Sequence, residues 1–123
     1  ANVLALPCVF APAPDRMEWI QAALDAKGIH RALTGYEVAY SLSFRTGERI
    51  VASPAAGPNR TDRYPAYTEA VLAAPRVALI LPDEEARRWR VRAGLARGSE
   101  VSNNGLHIFF PDLPPREILR ILE

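Results

Sequence analysis

The chain is poor in the residues that announce common chemistries. It has one cysteine, Cys8, so no disulfide can close within it; a domain of this size needs none, which leaves its compartment open. Its two histidines, His30 and His107, lie far apart in the sequence and offer no metal-ligand spacing, so structural histidines are the simpler reading. There is no GxSxG elbow, no GxxxxGK[ST] loop and no GxGxxG turn. Serine-based hydrolysis, nucleoside-triphosphate binding and dinucleotide binding therefore lack their usual signatures. The expectation is a chain with no catalytic residues, no metal and no cofactor of its own.

Charge of one sign is missing too. Fifteen basic residues stand against 14 acidic ones, a net charge of +1, so no global field draws in nucleic acid or an anionic membrane. Lysine is nearly absent: Lys27 is alone among 14 arginines, which with 11 prolines fits either a GC-rich genome or adaptation to heat. Long apolar runs are absent. The stretch from Val3 to Ala13 is broken by Pro7 and Pro12, is shorter than the ~20 residues that cross a bilayer, and lacks the basic start of a signal peptide. Its abrupt apolar opening suits a domain excised from a longer chain. With 49% apolar and 24% charged residues, the 123 residues read as one globular domain spanning 1–123, large enough to bury a core.

What is present alternates strand and helix. Asp15 and Glu18 form a capping box before Met17, Ile20 and Leu24 at helical spacing, and Lys27-Gly28 closes a helix over 16–27. Residues 29–34 read as a short strand between Gly28 and Gly35. Residues 36–45 are ambiguous. Tyr36, Val38, Tyr40, Leu42 and Phe44 alternate with smaller or polar residues as in a half-buried strand, yet Tyr36, Tyr40 and Phe44 also sit four apart, as neighbours on a helix do. Local pattern favours a strand; the alternation of the flanking segments favours a short helix. A strand over 48–53 leads to a mobile Pro-, Ala- and Gly-rich loop over 54–62, and Tyr64-Pro65 opens a helix carrying Tyr67, Val71 and Leu72.

Val77 to Leu81 is unbroken aliphatic, the mark of a strand covered on both faces in the middle of a parallel sheet. Asp83 caps the next helix. Its run of Arg87, Arg88, Arg90 and Arg92 reads as a solvated, ion-paired face rather than a nucleic-acid patch, with Glu84 one turn before Arg88. Segments 100–102 and 106–110 flank Asn103-Asn104-Gly105, a hairpin signal, and a last helix runs from Pro114-Pro115 to Leu122. The expected fold is α/β: a three-layer sandwich with a mostly parallel central sheet, helices on both faces and a C-terminal hairpin.

The stretch from Gly35 to Tyr67 holds all four tyrosines, interleaved with charge. Tyr36, Glu37, Tyr40, Glu48, Arg49, Asp62, Arg63, Tyr64 and Tyr67 are the candidate binding residues. Rings stack on sugar faces, while Arg, Asp and Glu grip hydroxyls through charge-assisted hydrogen bonds. The competing reading has the tyrosines packing on the sheet edge with Arg63 and Asp62 pinning the loop. Nothing fixes the separation of Glu37, Glu48 and Asp62 as an acid and base pair. Asn59-Arg60-Thr61 matches an N-glycosylation acceptor, a pattern that short matches produce by chance.

Residues 35–54 and 62–71 resemble the extracytoplasmic C-terminal part of bacterial multi-pass membrane glycosyltransferases of the dolichyl-phosphate-mannose-protein mannosyltransferase-like and aminoarabinose transferase-like kind. Tyr36, Ala39, Tyr40, Leu42 and Phe44 match an aromatic Tyr-Trp-x-Ala-Tyr-x-Leu-x-Phe stretch; Glu48 and Val51 fit a following strand; Arg63, Tyr64, Pro65 and Tyr67 match an Arg-Tyr-Pro-x-Tyr helix start. Gly35 stands where an acidic residue is expected and Glu37 where Trp is. The resemblance adds weight to a helix at 36–45. It implies a non-catalytic accessory domain, inactive by itself, on the periplasmic side of the membrane. Its partners would be the membrane-embedded part of the same parent chain, which uses a polyprenyl-phosphate sugar, and a glycan or acceptor. The alternative is a free-standing cytosolic α/β enzyme whose small-molecule site lies at the carboxyl ends of the strands, with loops after Thr34, Ser53 and Leu81 lining a cleft and Asp83 near substrate. A purely structural or dimerising module is the third reading.

Overall fold

A computed structural model describes residues 16–54 and 65–123. In chain order its elements are α1 (Arg16–Lys27), β1 (Arg31–Thr34), α2 (Tyr36–Arg45), β2 (Val51–Pro54), α3 (Pro65–Ala73), β3 (Ala78–Pro82), α4 (Asp83–Ala93), a 3-10 turn (Gly94–Arg97), β4 (Ser99–Asn103), β5 (Leu106–Phe110) and α5 (Pro115–Leu122). Among the described residues five strands form one open sheet in the order β2-β1-β3-β5-β4, giving an α/β fold with five helices. β1 pairs in parallel with β2 and β3, whereas β5 runs antiparallel to both β3 and β4.

The expectation of a mostly parallel sheet is therefore corrected: the sheet is mixed. The antiparallel ladders, four residue pairs between β3 and β5 and five between β4 and β5, outnumber the parallel ones, four and two. The cause is local. Asn104 and Gly105 both take positive φ, 47° and 79°, as a two-residue hairpin turn requires. The turn returns the chain at once, so no helix can intervene to make β5 parallel to β4, and β5 zips antiparallel onto β3. Gly98, at φ 84°, opens this hairpin where only glycine fits: a Cβ there would stand 2.4 Å from the Phe110 carbonyl oxygen.

Residues 36–45 are helical, so the four-residue spacing prevails over the two-residue alternation. Ala39 and Leu42 turn to the core while Phe44 and Arg45 face out, and burial on one side of a helix wins over a strand that would have to bury alternate residues. Residues 48–50, expected in the second strand, instead make the turn that follows α2. Asp15 and the loop over 55–64, with the Asn59 acceptor pattern, lie outside the described residues. The helix expected to open at Tyr64-Pro65 is described from Pro65 onward.

Alternate strand residues feed two hydrophobic clusters. Ala32, Ala52, Ala78, Ile80, Ile108 and Phe110 pack with Ile20 and Leu24 of α1 and with Ala39 and Leu42 of α2. Leu33, Val51, Leu79, Leu81 and Phe109 pack with Val71 of α3, Ala86 and Trp89 of α4 and Ile118 of α5. β3 is the middle strand and contributes to both, which is why its sequence is aliphatic without interruption.

Candidate functional site

The tyrosine-bearing region is built around the end of α2. Gly47 donates to the Phe44 carbonyl and Glu48 to the Ser43 carbonyl, at 3.1 and 2.8 Å, the paired bonds of a Schellman stop with Gly47 as the left-handed residue. Glu48 itself is left-handed, at φ 67°, a conformation that non-glycine residues adopt only when their surroundings hold them there. Two hydroxyls do so. The buried Ser43 Oγ donates to the Ala39 carbonyl and accepts from the Ala52 N–H, both at 3.0 Å. Thr46 Oγ1 accepts the Ile50 N–H at 3.1 Å and lies 2.9 Å from the Leu42 carbonyl. Together they stitch α2 to the start of β2.

A third stitch, Ser53 Oγ to Thr68 Oγ1 at 2.9 Å, fixes the first turn of α3 to β2. It brings Tyr67 to its place: the phenol donates to Glu48 Oε2 at 2.6 Å, and its ring stands edge-on to Phe44 with centroids 6.3 Å apart. α2 and α3 belong to opposite clusters, so Tyr67 reaches round the edge strand β2. Phe44, 53% exposed, is the outward face of this group. The sequence offered Phe44 only as part of a pattern; the structure places it on the exposed side of α2.

Of the expected binding residues, then, Glu48 and Tyr67 are brought together. Arg49 is not with them. It turns to α1, donating to Asp25 Oδ1 at 2.5 Å and to Gln21 Oε1 at 3.2 Å. Asp25 also meets His30 Nε2 at 3.0 Å, and its carboxyl lies below the usual range, chiefly because of the Arg49 hydrogen bond. Tyr36, Glu37 and Tyr40 sit on α2, but their side chains are outside the described residues, as are Asp62, Arg63 and Tyr64 entirely.

Sequence reasoning missed a second polar group, on the face of β4–β5 that meets α4. His107 Nε2 is 2.5 Å from Asp83 Oδ1 and its Nδ1 is 3.0 Å from Glu100 Oε2 and 2.8 Å from Ser102 Oγ. Arg90 forks onto Glu100, Nε to Oε1 at 3.0 Å and Nη2 to Oε2 at 2.5 Å. That fork, ahead of the bonds from Ser102 and His107, pulls the Glu100 carboxyl down to about 2 against the cost of its burial, and Glu100 in turn raises Arg90. Asp83 is the first residue of α4 rather than its cap, a place taken by Pro82.

The Ser102–His107–Asp83 sequence of contacts has the residue types of a hydrolytic triad, yet its electrostatics oppose that chemistry. Ser102 Oγ is also 3.1 Å from Glu100 Oε2, so an anion forming at the serine's target would face a fixed carboxylate instead of hydrogen-bond donors. The group is a clamp tying α4 to the hairpin. Two other arginines of the run are spent similarly, Arg88 on Glu85 and Arg92 on the last carbonyls of α5. Among the described residues no group of three His, Cys, Asp or Glu side chains is placed to hold a metal ion, and no helix is long and apolar enough to cross a membrane.

A cavity of about 320 Å³ opens at the carboxyl ends of β1 and β3. There the chain leaves β1 into α2 toward one cluster and leaves β3 into α4 toward the other, the divergence that opens a crevice in α/β sheets. Arg16, Thr34, Gly35, Val38, Ile80 and Leu106 line it. No family model, curated protein or solved structure matches this chain.

Proposed function

We propose that this chain is a non-catalytic accessory domain of a membrane-bound glycosyltransferase that uses a polyprenyl-phosphate sugar, and that the surface at the β2 edge contacts a glycan or acceptor on the periplasmic side. The observation that carries the reading is the Phe44–Tyr67–Glu48 group: an exposed ring, a second ring edge-on to it and a carboxylate at its rim. Rings of this kind take the apolar face of a sugar while the carboxylate accepts from its hydroxyls. Tyr36, Glu37, Tyr40, Asp62, Arg63 and Tyr64 are assigned to that surface by their place in the sequence, and Arg49 is engaged by Asp25. The two clusters support a three-layer sandwich as the frame.

The test is a glycan titration followed by NMR, beside an assay with a polyprenyl-phosphate sugar donor. The isolated chain is expected to transfer and hydrolyse nothing, and to bind weakly, with affinity falling in Tyr40→Ala, Arg63→Ala, Tyr64→Ala and Tyr67→Ala. Undiminished binding in all four variants removes the surface assignment, and turnover by the isolated chain removes the accessory role.

The cavity at the strand ends favours a second reading, a free-standing cytosolic α/β enzyme acting on a small molecule there. Its signature would be turnover lost when Thr34 is replaced and unaffected by Tyr67.

A further inference from the structure

The net charge of +1 averages over a helix whose charges are segregated. α4 opens on Asp83, Glu84 and Glu85, and from there to Glu100 the chain carries five arginines and no acidic side chain. Ala86 and Trp89 are fully buried, so the opposite side of the helix, with Val91 three and four residues after Arg88 and Arg87, faces solvent. Only two of the five arginines meet a carboxylate among the described residues: Arg88, at Glu85, and Arg90, in the clamp. Arg92 and Arg97 donate to backbone carbonyls, which hold a guanidinium in place without neutralising it. Arg87 meets no carboxylate among the described residues.

Two aliphatic side chains stand among these charges. Val91 is 79% exposed, and Leu95, just past the end of α4 in the 3-10 turn, is 101% exposed, more than any other large apolar residue described. The outer side of a helix is convex and offers no groove for a folded partner to fill. A second copy of the chain would bring like charges together. Single-stranded nucleic acid asks for exposed rings on which bases stack, and the one ring in this stretch, Trp89, is fully buried. Protruding aliphatic groups flanked by unneutralised arginines complement a surface that is anionic outside and apolar beneath.

We propose that the outer side of α4 and the turn after it dock on an anionic lipid bilayer. Val91 and Leu95 enter the headgroup region, and Arg87, Arg92 and Arg97 meet lipid phosphates around them. Shallow insertion of two aliphatic side chains gives reversible attachment, held by charge as much as by apolar contact. The inference goes beyond the sugar-handling reading. α4 packs on β3 and β5, away from the β2 edge, so either surface stands or falls without the other.

The experiment is co-sedimentation of the full chain with vesicles of phosphatidylcholine and phosphatidylglycerol in equal amounts, beside vesicles of phosphatidylcholine alone and a titration with single-stranded oligothymidylate. The chain is expected to sediment with the mixed vesicles only and to be released as salt is raised. Arg87→Gln, which breaks no ion pair, should weaken partition roughly fivefold, the worth of one arginine near an anionic surface. Val91→Ser combined with Leu95→Ser, both at exposed positions, should weaken it roughly tenfold or more, with an unchanged far-ultraviolet circular dichroism spectrum. The proposal is overturned by no sedimentation with the mixed vesicles, by equal sedimentation with phosphatidylcholine alone, or by unchanged partition in either variant. Binding of the oligothymidylate more tightly than the mixed vesicles would also overturn it, and would assign the arginines to nucleic acid.

Discussion

The two halves of the sheet handle polar groups differently. In the antiparallel half, β3-β5-β4, charged side chains are consumed by one another: Arg90, Glu100, His107 and Asp83 form one connected set, and Arg92 closes the end of α5. In the parallel half, β2-β1-β3, hydroxyls do the structural stitching, through Ser43, Thr46 and Ser53. That leaves the larger groups, the Phe44 ring, the Glu48 carboxylate and the Arg16 guanidinium, facing outward or into a cavity. The difference separates a half that is closed by its own contacts from one that leaves such groups at its surface. Replacements in the first half should cost stability, and replacements of outward groups in the second should cost recognition.

The largest effect is expected at Gly98. Any side chain collides with the Phe110 backbone and must adopt the left-handed φ as well, so Gly98→Ala should destabilise by roughly 3 kcal/mol or more, read as a lowered midpoint in urea. Trp89 is fully buried, donates to the Arg97 carbonyl at 3.2 Å and stands edge-on to Phe109. Trp89→Ala should cost about 3–5 kcal/mol. A smaller loss than that of a surface substitution in either variant would break the picture of a closed half.

Next comes acid. Because the Glu100 carboxyl is depressed from 4.5 to about 2, its pairing contributes stability that is fully present above 4.5 and disappears as pH falls through 2. Unfolding free energy should therefore drop on acidification across that window. Glu100→Gln should be less stable at neutral pH, by about 1–3 kcal/mol for an abandoned charged partner, and should lose this part of the acid slope. An identical acid profile in the variant would detach Glu100 from the clamp.

In the parallel half, Ser43→Ala leaves the buried Ala52 N–H without its acceptor and should cost about 1–3 kcal/mol. It should also loosen the turn that holds Glu48, seen as faster hydrogen exchange at residues 46–50. Unchanged exchange there would show that the stitch does not set the position of Glu48.

These costs track what was legible in the sequence. Elements whose cause is local could be read in advance: the Asn104-Gly105 hairpin from its turn chemistry, β3 from its aliphatic run, and α1 from its spacing. The mixed sheet could not, because pairing of β5 with β3 depends on where a hairpin docks rather than on any residue within it. The clamp was equally hidden. Asp83, Arg90, Glu100, Ser102 and His107 are dispersed over a helix and two strands and meet only after the hairpin packs on α4, so His107 looked solitary. At the candidate surface, composition singled out Tyr67 and Glu48 but gave no means of pairing them. Arg49 looked like their companion by sequence proximity, and its partner Asp25 lies on a helix that the sequence places well before it.

The smallest stability effect is also the sharpest test of the contrast. Tyr67→Phe removes one hydroxyl from an exposed hydrogen bond to Glu48 and keeps the ring against Phe44. Water takes the place of the phenol at the exposed Glu48 carboxylate, so stability should change by less than about 0.5–1 kcal/mol. Glycan binding should nonetheless fall, because the phenol holds the carboxylate at the ring's rim and a freed Glu48 must be ordered again by the ligand. Glu48→Gln in the Tyr67→Phe background separates the two roles of the carboxylate. If Glu48 itself grips sugar hydroxyls, the double variant binds more weakly than Tyr67→Phe alone; equal binding would mean that the carboxylate serves only to steer the phenol. A loss of stability as large as that of Ser43→Ala would instead make Tyr67 a fastener of the β2 edge, and the parallel half would then be as closed by its own contacts as the antiparallel one.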